Sequence, residues 1–113
     1  MPPYYVYIGP PPTLLDGLRE DSESLFQKCC AIVQRIFHEQ WLATLGDKFA
    51  AEQIEHPGTP PAEVEASVRA KLQPCRVALR EKQRELIREL EQSRALRDAA
   101  IHAYVEALPS AAA

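Results

Sequence analysis

The chain has 113 residues, 46% of them hydrophobic and 26% charged, with 13 Lys+Arg against 16 Asp+Glu. That length permits one modest core and excludes a multidomain enzyme. Ten prolines, four glycines and three cysteines exclude a collagen-like repeat and a disulfide-dense scaffold.

The charge is unevenly placed. Residues 1–55 hold 4 basic and 8 acidic side chains, and the remainder holds 9 and 8. A net charge of −3 exerts no overall pull on nucleic acid. The balanced second part suits helix surfaces laced with ion pairs. Cys29 and Cys30 are adjacent and Cys75 stands alone, an arrangement from which no disulfide framework follows. A bond from Cys29 or Cys30 to Cys75 stays open at this level.

Residues 1–12, MPPYYVYIGPPP, read as an extended arm. Tyr4, Tyr5 and Tyr7 favour a strand, but prolines bracket them and no second strand is available for pairing. The arm lacks the basic region and apolar run of a secretory leader. Thr13 and Asp16 have capping-box spacing for a short helical turn, which Gly17 weakens.

A stronger helix is expected from Asp21 or Ser22 to about Leu45. Its apolar residues make two adjacent ridges, one through Leu25, Cys29, Ile32 and Ile36 and one through Phe26, Cys30, Val33 and Phe37. Two ridges call for cover on more than one side. Trp41 extends the apolar face, Gly46 is a natural stop or kink, and Asp47 can cap a brief continuation to Glu55.

His56-Pro57-Gly58-Thr59-Pro60-Pro61 is a turn followed by a helix start, with Thr59 as cap and Pro60 in the first helical position. The helix that follows is long and charged, and Pro74 should kink it or break it at Gln73. Leu108-Pro109 ends it. The chain thus divides into an arm (1–12), an amphipathic helical segment (13–55), a Pro/Gly turn (56–61), a long kinked helix (62–108) and a tail (109–113).

Residues 60–108 would span about 70 Å if helical, against about 36 Å for a helix over 22–45. On that arithmetic the distal half of the long helix has no partner inside the chain. Glu81–Arg84, Glu85–Arg88 and Glu91–Arg94 are spaced for ion pairs, each contributing about 0.2–0.5 kcal/mol.

Catalytic and ligand chemistry is sparse. His38, His56 and His102 are scattered, and Leu42 stands where a helical zinc-protease pair needs its second His. The glycines build no phosphate loop. Arg76, Arg80, Arg84 and Arg88 recur every four residues and could track phosphates, yet glutamates lie on adjoining faces and no aromatic is interleaved. No enzyme activity, cofactor or metal is expected.

Lys71-Leu72-Gln73-Pro74-Cys75 ahead of a charged helix resembles the helical, cysteine-bearing accessory subunits of mitochondrial complex I. Those carry a second cysteine in the following helix, and residues 76–113 contain none, so no residue role carries over.

The reading is an all-α helical hairpin with a long kinked C-terminal helix and a Pro/Tyr-rich arm. Its expected role is a non-catalytic accessory subunit of a larger assembly, in an organelle such as the mitochondrion. It would bind through Tyr4, Tyr5, Tyr7, Leu79, Leu86, Leu90, Ile101, Tyr104 and Leu108. The expected partners are other protein subunits, without a small-molecule substrate, nucleic acid or membrane span; any membrane contact would come through partners. A coiled-coil module self-associating through Leu79, Leu86 and Leu90 is the alternative, although Lys82 and Ser93 interrupt that seam. An RNA-associated particle protein using the arginine ridge is the third reading.

Overall fold

A proline at the first helical position loses nothing by lacking an N–H. In the computed structural model, which describes residues 12–109, the first helix, α1, accordingly runs Pro12–Glu55 without interruption. It is followed by α2 (Pro61–Lys71) and α3 (Gln73–Ala107), with no strand among the described residues. The all-α expectation holds. Tyr4, Tyr5 and Tyr7 lie outside the described residues.

α1 is longer than its local signals suggest. Gly17 and Gly46 both lie within it, whereas Gly46 reads in sequence as a stop. One glycine in a helix interior costs about 1 kcal/mol relative to alanine, too little to end a helix held by neighbouring elements. A Cβ at Gly17 or Gly46 meets nothing within 4 Å, and neither glycine has a positive φ. Gly46→Ala is therefore expected to raise stability by about 0.5–1 kcal/mol, and Gly17→Ala to act alike. Thermal melts followed by circular dichroism should show each midpoint rising by a few degrees.

The chain turns at residues 56–60. The His56 N–H donates to Glu52 O at 2.9 Å, and the Thr59 N–H donates to His56 O at 3.1 Å. The start of α2 is one residue later than the sequence indicates. Pro60, not Thr59, is the N-cap, with φ −57° and ψ 142° and no side-chain cap bond. The cause is Pro61, whose ring keeps the residue before it extended. Glu63 and Val64 both donate their N–H groups to Pro60 O, at 3.0 and 3.1 Å.

Between α2 and α3, Leu72 sits at φ −92°, ψ 1°, outside regular helix geometry. Its N–H donates to Val68 O at 3.0 Å and its own carbonyl accepts from Arg76 N–H at 2.9 Å, so hydrogen bonding continues across the break. Pro74 then falls in the first turn of α3, where no donor is needed. At the far end the Leu108 N–H donates to Val105 O, and Pro109 prevents another turn.

The residues group into two units. One gathers the chain up to Cys29 with the chain from Glu89 onward; the other is Cys30–Arg88. In the first, α1 meets α3 antiparallel: Ser22 reaches Arg97 and Asp98, and Phe26 lies under Arg94. Among the described residues, Phe26 and Val105 are its buried apolar side chains. The distal half of α3 therefore has a partner, contrary to the length arithmetic, in the α1 residues from Ser22 to Phe26. In the second unit the buried apolar side chains are Val64 and Val68, both from α2.

Candidate functional site

Ser22 is buried, and both of its hydrogen-bonding roles are taken. Its hydroxyl donates to Asp98 Oδ1 and accepts from Arg97 Nε at 2.9 Å, while Arg97 Nη2 reaches the Ser22 carbonyl at 3.1 Å. No histidine contacts it in these bonds, and a serine committed in this way serves as a clamp between helices. Beside it, Arg94 Nη1 donates to Glu23 Oε2 at 2.9 Å, and its guanidinium carbon lies 4.2 Å from the Phe26 ring centroid. Arg94 thus pairs across the unit and not with Glu91 on its own helix. The Gln27 amide hydrogen bond, followed by Arg94, holds the Glu23 carboxyl below the usual range against the opposing effect of burial.

The second unit buries a carboxylate near the end of α1. Glu52 is 4% exposed and receives Lys71 Nζ, with Lys48 Nζ at 3.6 Å and His56 Nε2 at 3.7 Å. The Lys71 hydrogen bond is the main cause of its lowered pKa; burial opposes, and the Lys71 and Lys48 charges add to the lowering. Neighbouring side chains cover Glu52 by area, but little protein lies beyond that cover, so lost hydration does not outweigh the two ammonium groups. A carboxyl with a depressed folded pKa contributes stability above its unfolded value of about 4.3 and loses it as pH falls through the folded value. Wild-type stability should accordingly begin to drop as pH falls below about 5 and go on dropping until pH lies below the folded value, and Glu52→Gln should flatten part of that slope. Urea unfolding across that range measures both.

Glu52, Glu55 and His56 each place one donor atom within 4.8 Å of the others. That spacing could serve a metal ion, but Lys71 and Lys48 already supply the positive charge to Glu52. The arrangement fits an ion-pair hub. Cys75 is a free thiol, so neither Cys29 nor Cys30 staples to it.

A groove in the same unit has a different character. It measures ≈ 240 Å³ and is lined by Gln34, Phe37, His38 and Trp41 of α1 and by Arg76, Leu79, Arg80 and Gln83 of α3. The Arg76 guanidinium lies over Trp41, 5.3 Å from the ring centroid. None of the eight lining residues is acidic. Trp41 is only half-buried, where its place in the apolar face had suggested core packing.

The binding residues expected from sequence separate into two sets. Leu79, Leu90, Ile101 and Leu108 are half-buried, Leu79 in the groove of the second unit and the others in the first unit. Leu86 and Tyr104 are exposed. Sequence reasoning missed Ile32 and Ile36, one turn apart on α1, each about half exposed while Val33 and Phe37 turn inward. It also missed the groove. The signal was present: Arg76 and Arg80 have no acidic residue three or four positions away, whereas Arg84 and Arg88 do.

Comparison of the chain with protein-family models, with curated proteins and with solved structures finds no match. No described helix is long and apolar enough to cross a membrane.

Proposed function

We propose that the protein is a non-catalytic helical subunit that docks on other proteins in a larger assembly. One observation carries this reading. In the second unit Ile32, Ile36, Leu42, Val77 and Leu86 each leave roughly two fifths to half of their surface in water, while Val64 and Val68 alone of its apolar side chains are buried among the described residues. Full burial of such a side chain contributes about 1.5–3 kcal/mol relative to full exposure, and a partner surface can supply roughly half of that at each, in proportion to the surface still in water. The first unit leaves Leu96 and Tyr104 exposed in the same way. The engaged Ser22 and the ion-pair hub at Glu52 support a scaffold in preference to a reaction centre.

The test is purification of the full chain with cross-linking from its native source, beside the double variant Ile32→Gln/Ile36→Gln. Partners held in fixed ratio by the wild type and lost from the variant, with helix content unchanged, would support the reading. A stable monomer whose native interactions ignore both substitutions would sink it. A discrete dimer or trimer of the purified chain in sedimentation would transfer the case to self-association through Leu79, Leu86 and Leu90. The same purification reads the organellar setting.

A further inference from the structure

The groove between Trp41 and Arg80 combines three properties that together define an occupant. It is cationic: two guanidiniums, permanently charged, stand one turn apart on α3, about 5–6 Å between Cβ atoms, with His38 facing them from α1. Its charge is not balanced locally, because no carboxylate among the described residues lines it and neither arginine has an acidic neighbour at helical spacing. Its floor is apolar, made by Phe37, Trp41 and Leu79, and Gln34 and Gln83 add amide donors at the rim.

Size then decides between classes of ligand. At ≈ 240 Å³ the groove falls below the ~300–1,000 Å³ of sites that enclose a cofactor or drug-sized molecule. It has room for one or two side chains. An arginine fork binds a carboxylate through two parallel N–H donors, and stacking on an indole face holds the fork in one orientation. Arg76 is already stacked in this manner over Trp41.

We infer that this groove is a docking site for an acidic protein segment, one that places a Glu or Asp carboxylate between Arg76 and Arg80 and an adjacent apolar side chain against Trp41 and Leu79. The inference rests on the reading of the chain as a docking subunit and gives that reading its partner chemistry. Phosphate chains fit less well. A nucleic acid would need arginines matched along its backbone, and Arg84 and Arg88, the next two in the series, have Glu81, Glu85 and Glu91 within helical pairing distance.

Trp41 is the only tryptophan, so its fluorescence reports the groove directly in the purified full-length chain. The probe is a tryptophan-free, acetylated and amidated 12-residue peptide carrying Glu and Phe one helical turn apart, with a twin in which Gln replaces each Glu. The expected result is a saturable change in Trp41 emission with the Glu peptide, at least tenfold weaker with the Gln twin. A similar weakening is expected with Arg80→Gln, an exposed position whose replacement leaves the Trp41 stack intact. Arg76→Lys, which keeps the charge but loses the fork, should weaken binding while circular dichroism shows unchanged helix content. Equal binding of the two peptides would overturn the inference, since it would make the groove merely apolar. Saturation at lower concentration by inorganic phosphate or single-stranded RNA would overturn it in favour of a phosphate site, and no saturable change with any probe would also overturn it. None of these readouts needs the native partner. A failure here, with assembly still dependent on Ile32 and Ile36, removes the groove and leaves the docking reading standing.

Discussion

Val68→Asp is expected to detach α2 and unfold the second unit. Val68 is 0% exposed and Val64, one turn earlier, is 3% exposed; these two are the buried residues through which α2 is held. An eleven-residue helix is not stable by itself in water, so its existence depends on that contact. An aspartate at this position would be a buried charge with no partner, a change that costs about 3–5 kcal/mol where comparable buried pairs are broken. Small domains have total stabilities of about 5–15 kcal/mol, and a chain with so few buried apolar side chains among its described residues belongs near the lower end. Val68→Ala removes two carbon groups without adding charge and should cost about 1.5–3 kcal/mol. Amide exchange would show protection lost first over residues 61–71, and Trp41 emission would report the state of the rest of the unit. A Val68→Asp chain with the wild-type midpoint would contradict this account of the core.

The all-α class and the turn at Pro57-Gly58 could be read from residue patterns because they depend on local rules. Apolar spacing near 3.6 and the backbone limits imposed by proline act within a few residues. The extent of α1 could not be read that way. Gly17 and Gly46 are unfavourable to a helix locally, and contacts made elsewhere along α1, from Ser22 to Arg97 and Asp98 and from Glu52 to Lys71, outweigh them. The same holds for the distal half of α3, where Ser22, Glu23 and Phe26 engage Arg94, Arg97 and Asp98 through long-range contacts that helix lengths alone do not specify.

The candidate site divides along the same line. Two apolar ridges on α1 are visible in sequence, but which one is covered depends on where α3 lies. The structure covers Phe26, Val33 and Phe37 more fully and leaves Leu25, Ile32 and Ile36 about half exposed. Arginines without nearby acids are legible as a local pattern. Their convergence on Trp41 requires α1 and α3 to run side by side within the unit, which no short-range pattern specifies.

Phe26→Ala should have the corresponding effect in the first unit, selectively. Phe26 is 9% exposed and is the largest buried apolar side chain among the described residues of that unit; truncation of a buried phenylalanine costs about 3–5 kcal/mol. The lower end of that range applies, because one face of the ring is covered by the flexible Arg94 side chain, which can collapse into part of the space. The stacked guanidinium is a separate contribution of about 0.5–1 kcal/mol, and Arg94 keeps its bond to Glu23 when the ring is gone. Phe26→Leu distinguishes the two, since it retains most of the apolar volume and removes the aromatic face. A cycle of Phe26→Leu with Arg94→Gln should therefore give a coupling near 0.5–1 kcal/mol, and no coupling would mean the stack is incidental. The spatial pattern of damage is the sharper test. Residues 89–107 of α3 present Leu90, Ile101 and Val105 as their half-buried or buried large apolar side chains, and most of a helix's stability in a protein comes from such a packed face, so helix propensity alone does not hold the stretch once the ring is lost. Exchange protection should fall first across that stretch and across residues 12–29, while the Val64 and Val68 amides stay protected until higher denaturant. Uniform loss along the chain would show that the two groupings of residues melt as one, and the exposed Leu96 and Tyr104 would then be held in place for a partner by the whole protein and not by Phe26 alone.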